Sequence, residues 1–392
     1  LTSIAFIFFD MNPSHVAGDR DTAYHTVKGL EKLGVDVTLY FAYKNKKNKK
    51  LNKFMKPIFD KVEYRIANWD SKVTYYELNK YDFILFNCLA PHGTAKNPPT
   101  PGWEKLWTKT KPEKFVIISD PYWKQYYYHG IKISKYVSGI IAQNEPALRG
   151  LRDYPANKAY IKLAYDTDEF RPYSYDEKED IVVSFTFWKT WKNHRYFLEA
   201  LKKYGEEMTK VVKEIRLFGD GIELRKMRSK DPKIREMYNY GDLWFETEKY
   251  FYFGGFVPNE VKEQELMRAK YAIDLSWSPN WNGNITYTLF EAYAHGDIVI
   301  GSSEHFIFPK EALIDVGYPR KPENIYKTFM KIPEIDKETF TEMIKTGRKF
   351  IKEEHDAKKI AEQIMYYMEN KDTDGNFPIY KKRDLFSFLK KK

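Results

Sequence analysis

The sequence holds one cysteine, Cys88, in 392 residues. An internal disulfide is therefore excluded, which fits a reducing compartment. Cys88 lies inside the apolar run from Tyr81 to Leu89, where a buried, unreactive thiol is expected rather than a nucleophile. Long apolar runs are missing too: none approaches the roughly 20 residues that cross a bilayer, so no membrane span is expected. The opening stretch LTSIAFIFFD has no basic leader and no small-residue cleavage site. It reads as a first strand rather than a secretion signal, and a cytoplasmic location is expected. Histidines are few; His15, His92, His129 and His295 show no metal-ligand spacing and are expected to pack or hydrogen-bond, with His15 and His92 the two that could line a cleft. No metal is expected. No segment repeats with a period of roughly 20 to 50 residues, which sets aside solenoids and propellers.

What is present is ample apolar material, 43% hydrophobic and 17% aromatic. The chain is longer than one hydrophobic core usually serves, so two domains are expected. Lys and Arg number 65 against 55 Asp and Glu, a net charge of +10. That balance favours an anionic partner without naming it; AT-rich coding would also enrich lysine.

The pattern from Ser3 predicts a strand to Phe9, a loop with Gly18, a helix from about Asp21 to Leu33 stopped by Gly34, and a strand Asp36–Ala42. Further strands are expected at Phe83–Asn87, Phe115–Ser119 and Gly139–Ala142. The polar, proline-containing YDTDEFRPY, Tyr165 to Tyr173, reads as a linker. A second series follows: a strand Ile181–Phe187, a helix from about His194 to Lys213, a strand Glu214–Phe218 ending in Gly219-Asp220-Gly221, a strand near Tyr250–Phe256, a helix Glu260–Lys270 and a strand Tyr271–Ser276. The expected fold class is α/β, with two Rossmann-like domains facing each other across a cleft. They span 1–170 and 171–370, and a basic tail at 371–392 packs back on the first domain. Ligands of such sheets sit beyond the carboxyl ends of strands, which points to 10–19, 88–93, 120–123 and 143–145.

One stretch is central, Asn282 to Gly301, NGNITYTLFEAYAHGDIVIG. A Gly/Asn-rich turn leads into a short helix carrying Glu291, then through His295 and Gly296 into an apolar strand. N–H groups at a helix start hold anionic oxygens, and a carboxylate one turn in accepts from hydroxyls at roughly 1.5–3 kcal/mol each. An ordinary helix-to-strand passage would read the same way.

Four stretches stand in an order that resembles the retaining GT-B glycosyltransferases of family 4. YDTDEFRP resembles the interdomain "NGVDTxRFRP", IRLFGDGIEL resembles "LxIVGxGP", FGGFVPNEV resembles "FxGFVPxEx", and TLFEAYAHGDIVIG resembles "LEAMAxGxPVV". The resemblance covers about residues 160 to 310, and the first domain in outline. A narrower resemblance is to the DNA-modifying α-glucosyltransferases of T-even bacteriophages. It runs through Trp191-Lys192, Tyr287-Thr288 ahead of Glu291, KLGVDVTLYFAYK, and VIISD, where Asp120 takes the aspartate and Ser119 the histidine position of a catalytic His-Asp pair. Two departures stand out: Gly283 occupies the place of the first Glu in E-x7-E, and Phe187 that of a phosphate-binding Arg.

The resemblance implies a UDP-sugar donor, no metal or other cofactor, retention of configuration by a front-face mechanism, and, for a phage protein, the host cytoplasm. Glu291 would bind the ribose, and Lys192 and Lys189, with the amides near Tyr287 and Thr288, the diphosphate. Asn282 and Asn284 would stand in for the missing carboxylate, with Gly219 and Gly18 close to the nucleotide. A solvated helix start for the lysines and a capping role for Glu291 are the plainer readings. Asp120 orients the acceptor, acts as a general base, or caps the segment before Pro121. The acceptor implied is double-stranded DNA with hydroxymethylated pyrimidines. Lys44, Lys46, Lys47, Lys49, Lys50 and Lys53 would meet phosphates, and a flipped base would stack on Trp123 or on Trp103, Trp107, Tyr122, Tyr126, Tyr127 or Tyr128. A solvated basic loop and ordinary packing are the alternatives. A glycan, lipid or protein hydroxyl as acceptor, and a catalytically silent protein that binds nucleic acid, are the rival functions; a monomer is expected.

Overall fold

The structure, a computed structural model, describes residues 2–9, 19–43, 59–91, 101–119, 129–279, 284–372 and 379–380. Apolar runs without alternation become strands buried on both faces, as parallel sheets require. β1 (Ser3–Phe9) is buried in all but its first residue. The chain continues through α1 (Asp19–Lys32), β2 (Asp36–Tyr43), β3 (Tyr64–Asn68), β4 (Phe83–Phe86), β5 (Glu113–Ile118), β6 (Gly139–Ala142) and β7 (Lys158–Tyr160). Then come β8 (Glu179–Ser184), α2 (His194–Met208), β9 (Glu214–Phe218), β10 (Tyr252–Gly255), α3 (Asn259–Arg268), β11 (Ala269–Asp274), α4 (Tyr287–His295), β12 (Ile298–Gly301) and β13 (Leu313–Asp315). α5 (Lys337–Glu354), α6 (Ala357–Asn370) and β14 (Ile379–Tyr380) close the described chain. Shorter helices are left unlabelled.

The strands form two sheets, in the orders β14-β7-β6-β5-β4-β1-β2-β3 and β10-β9-β8-β11-β12-β13. Neighbours are parallel throughout except β14, which runs antiparallel to β7. In each sheet the chain winds one way, then returns to the first strand's other side. That places a topological switch between β1 and β4, and another between β8 and β11. The carboxyl ends at such a switch form a natural crevice for ligands.

The chain forms two compact units, one holding residues up to Asp166 together with those from Glu354 onward, the other Thr167–Glu353. The expected boundaries kept the chain to residue 370 in the second domain. The structure instead packs α6 on the first unit, where Ile360, Ala361, Ile364 and Met368 join Ala23, Val27 and Leu30 of α1 in one buried cluster. A helix goes where its apolar stripe is covered. β14 belongs to the expected tail; residues 373–378 and 381–392 lie outside the described residues.

The other face of the first sheet is aromatic. Phe86 stacks on Trp107 at 3.9 Å between centroids, and Phe9 meets Trp69 and Trp103 edge-on at 6.1 Å each. Trp103 and Trp107, suggested above as stacking surfaces for a base, are core residues, 2% and 0% exposed. Their large apolar area is used to fill the layer under the sheet.

Candidate functional site

The second unit carries the site at its β8/β11 switch. After β8 the chain turns through Thr186 and Trp188 into a short 3-10 turn, Thr190–Lys192, and Asn193 in the left-handed region (φ 56°) starts α2. The Asn193 amide donates to the carbonyls of Leu275 (2.7 Å) and Trp277 (3.2 Å), while its oxygen accepts from Arg320 Nε (3.1 Å). This one side chain ties the loop after β8 to the loop after β11. Gly219, at φ 117°, brings the turn after β9 against the same region; a Cβ there would sit 2.6 Å from the Thr186 carbonyl oxygen.

Asp274, the last residue of β11, is the centre of the network. Its carboxylate accepts from Lys192 Nζ (3.2 Å), Ser276 N (2.9 Å), Ser276 Oγ and the Thr286 hydroxyl (3.0 Å). Both charges are buried, with side-chain exposures of 8% for Lys192 and 0% for Asp274. Burial alone would push the Asp274 carboxyl up, but Lys192 and the Ser276 donors outweigh it and hold it below the usual carboxylate range. Burial pulls Lys192 down, opposed by Asp274. Four donors on one carboxylate make the ionised pair the stable state.

Two histidines border this pair. His194 Nε2 bonds to Thr186 Oγ1 at 2.8 Å and its ring stacks on Trp188 at 4.0 Å; burial lowers its pKa to about 3. His305 is 1% exposed, and neither ring nitrogen has a hydrogen-bond partner among the described residues. Burial lowers it to about 4, with Asp274 and Lys192 close enough to act on it in opposite senses. Both rings are neutral at pH 7.

α4 begins beside this cluster. Its N-cap residue, Thr286, makes no side-chain cap; the hydroxyl goes to Asp274 instead. Asn284 is held in place by main-chain bonds, its N–H to the His305 carbonyl (3.2 Å) and its carbonyl to Ile307 N (3.0 Å). One turn in, Glu291 forms an ion pair with Lys262 of α3, and the His295 ring donates to the Glu291 carbonyl at 2.7 Å. Gly296, at φ 80°, ends the helix.

Among the expected donor-site residues, Lys192, Gly219, Asn284, Tyr287 and Thr288 follow the carboxyl ends of strands of the second sheet, and Glu291 lies one turn further along α4. Lys192 was expected at the diphosphate, with a solvated helix start as the plainer reading; its ammonium is buried and paired with Asp274, which is the clearest difference from both. Lys189 is half-buried, its ammonium 5.7 Å from the centre of the Phe187 ring. Asn282, Gly18, Asp120, Trp123 and the lysines Lys44, Lys46, Lys47, Lys49, Lys50 and Lys53 lie outside the described residues. Sequence reasoning passed over Asp274, Thr286, Asn193, His305 and Lys262. The signal for Asp274 was present: a lone charge ending an apolar strand is costly unless paired. Among the described residues no group of three or more His, Cys, Asp or Glu side chains is arranged to hold a metal, and no helix is long and apolar enough to cross a membrane.

No protein-family model matches the sequence, and no curated protein matches it. Solved structures do. The alpha-glucosyltransferase of phage T4 in complex with UDP superposes with a TM-score of 0.72 at 12% identity, over 94% of this chain and 100% of that one. The same enzyme with UDP-glucose and DNA containing an abasic site gives 0.71 at 14%, over 94% and 99%. HepE from Anabaena, in complex with UDP, gives 0.64 at 12%, over 94% and 100%. The chain therefore has the GT-B fold and resembles the phage enzyme across nearly its whole length.

Proposed function

We propose that this protein is a retaining, metal-independent glycosyltransferase that moves a sugar from a UDP-sugar to a hydroxymethylated pyrimidine base in bacteriophage DNA. The observation that carries the reading is the start of α4, with no side-chain cap, beside a buried cation at the β8/β11 switch, with Glu291 one turn in. The fold supports it, being shared with an alpha-glucosyltransferase solved with UDP-glucose and DNA.

In this reading the bond between the sugar's anomeric carbon and the diphosphate breaks while a bond to the acceptor oxygen forms on the same face. Negative charge grows on the departing diphosphate, and oriented N–H groups at the α4 start stabilise it without reorganising. Lys189 adds positive charge nearby, and Lys192 acts through Asp274. Glu291 accepts from the ribose hydroxyls, with Lys262 holding it in place. The acceptor proton passes to the departing phosphate, and Asp120 orients the acceptor. The lysines from Lys44 to Lys53 meet DNA phosphates, so binding weakens as salt rises.

The test is to incubate the protein with a panel of UDP-sugars and hydroxymethylated duplex DNA, digest the DNA and weigh the nucleosides. A gain of one sugar residue is expected with at least one donor; no gain with any donor overturns the DNA reading. The fold is shared as well with HepE, solved with UDP and with UDP-glucose, and the second reading is the same chemistry on a glycan, lipid or protein hydroxyl. Donor turnover that hydroxymethylated DNA does not stimulate would select it.

A further inference from the structure

Arg320 is a cation at the β8/β11 switch that has no part in the donor-site reading. It lies in the loop after β13, and that loop is held in one shape. The Asp315 carboxylate accepts from the Gly317 N–H and the Ser303 N–H at 2.9 Å each, and Gly317 takes a φ of 61°, a conformation that suits glycine. So folded, the loop reaches past β12 to the residues that follow β11. Tyr318 meets the Trp277 ring edge-on at 4.7 Å, and the Arg320 guanidinium lies 4.9 Å from the centre of that ring. Arg320 Nε donates to Asn193 Oδ1 at 3.1 Å, while the amide of the same asparagine donates to the Leu275 and Trp277 carbonyls. Asn193 joins the two sides of the switch. The guanidinium is therefore fixed at the switch itself, from a third strand.

What this cation lacks is an anion. Among the described residues Arg320 pairs with no carboxylate, and Nε is the one nitrogen of its guanidinium with a hydrogen-bond partner. Arg216 and Arg235 in the same unit spend their terminal nitrogens on the protein's own acceptors, Arg216 on Glu214 and Glu265, Arg235 on Asp242 and the Ser229 carbonyl. Arg320 is half-buried, so its fork is neither lost in the core nor left to move in solvent. Lys192, the next residue to Asn193, is already neutralised by Asp274, and Arg320 supplies the positive charge that the buried pair does not. A planar guanidinium fork matches phosphate oxygens two at a time, and one already held by its Nε and an aromatic face loses little freedom on binding. We propose that Arg320 is a ligand-binding residue whose terminal nitrogens hold the diphosphate of the nucleotide at the β8/β11 switch. The inference rests on the donor-site reading above.

The test compares UDP with uridine, which share the base and ribose and differ in the diphosphate. Affinities are measured by titration calorimetry on the full chain. Arg320→Gln removes the charge and the fork; UDP affinity is expected to fall about tenfold or more, and uridine affinity to change less than about twofold. A second measurement needs no variant: the wild-type protein is treated with phenylglyoxal, which modifies guanidinium groups, and Arg320 modification is followed by mass spectrometry. Saturating UDP is expected to protect Arg320, and uridine is not. If Arg320 only ties the loops together, Arg320→Gln weakens UDP and uridine equally or neither, and either result overturns the inference alone. Modification of Arg320 at the same rate with and without UDP also overturns it. A wild-type protein that does not bind UDP more tightly than uridine overturns both the inference and the donor-site reading.

Discussion

Buried lysines occur in both units, and their positions separate closing a loop from building a site. In the first unit Lys114, beside the start of β5, donates to the carbonyls of Thr110 and Pro112 at 2.8 and 2.7 Å. Lys158, at the start of β7, does the same for Tyr154 and Ala156 at 2.5 and 2.7 Å. Each satisfies carbonyls of the loop entering its strand. Lys178 repeats the device before β8, bonding the Leu266 and Ala269 carbonyls, with Asp297 as counter-ion. Lys192 stands at the opposite, carboxyl end and meets a carboxylate that also holds the α4 N-cap. The corresponding switch in the first unit is neutral among the described residues: Asn87 accepts from Phe9 N at 3.0 Å, and the Cys88 thiol donates to the Ala90 carbonyl at 3.0 Å. Among the described residues, then, buried charge at a switch is found in the second sheet, where it suits an anionic ligand.

Acid gives the largest expected effect on that contrast. His194, His295 and His305 in the second unit sit at about 3, 4 and 4 through burial, and His355 in the first at about 4. All are depressed from an unfolded value near 6.5, so the unfolded chain binds more protons between about pH 6.5 and 4. The stability these histidines contribute is present above pH 6.5 and is lost as pH falls through that window, on the order of 1–3 kcal/mol for each. Asp297, pushed up to about 7 by burial, works in the opposite sense and offsets part of the loss. Hydrogen exchange followed from pH 7.5 to 5 should show β8 and β11 losing protection before β1. Simultaneous loss in all three would break the contrast between the units.

Single substitutions come next. Asp274→Ala strands the Lys192 ammonium in the interior and leaves Ser276 and Thr286 without their acceptor, at about 3–5 kcal/mol. Lys158→Met fills the same space with an apolar chain and leaves two carbonyls unsatisfied, at about 1–3 kcal/mol. Urea unfolding midpoints measure both. Equal losses would mean that the Lys192–Asp274 pair is no more than another loop closure.

The same distinction explains how much could be read from the sequence. Strand positions were legible because β1, β6 and β9 are apolar runs closed by Gly, Asp or a turn, and Gly34 and Gly296 end their helices as expected. β3, β7 and β13 were missed because strands of three to five residues with mixed polarity carry no clear period. The return of α6 to the first unit was hidden because its apolar stripe would suit either core. Glu291 stood out through its neighbours in a motif. Asp274 and Lys262 act through partners 82 and 29 residues away, and local spacing is silent on such pairs. Lys192 was found for its charge, yet its burial depended on Asp274.

Glu291 offers the smallest effect on stability and a sharp one on binding. Its ion pair with Lys262 is partly solvated, with side-chain exposures of 21% and 14%, so solvent screening keeps the pair's worth to about 1 kcal/mol or less. Glu291→Gln should therefore shift the unfolding midpoint little. A carboxylate that accepts from a ribose hydroxyl contributes roughly 1.5–3 kcal/mol, so the same change should weaken UDP binding about tenfold or more. Glu354→Gln in the first unit removes a comparable partner from Lys162, at exposures of 43% and 35%, and should leave UDP binding unchanged. Calorimetric titration of both variants decides the point. If Glu291→Gln binds UDP as tightly as Glu354→Gln does, then Glu291 and Lys262 form a surface pair like Glu354 and Lys162, and the site is confined to the Asp274 network and the start of α4.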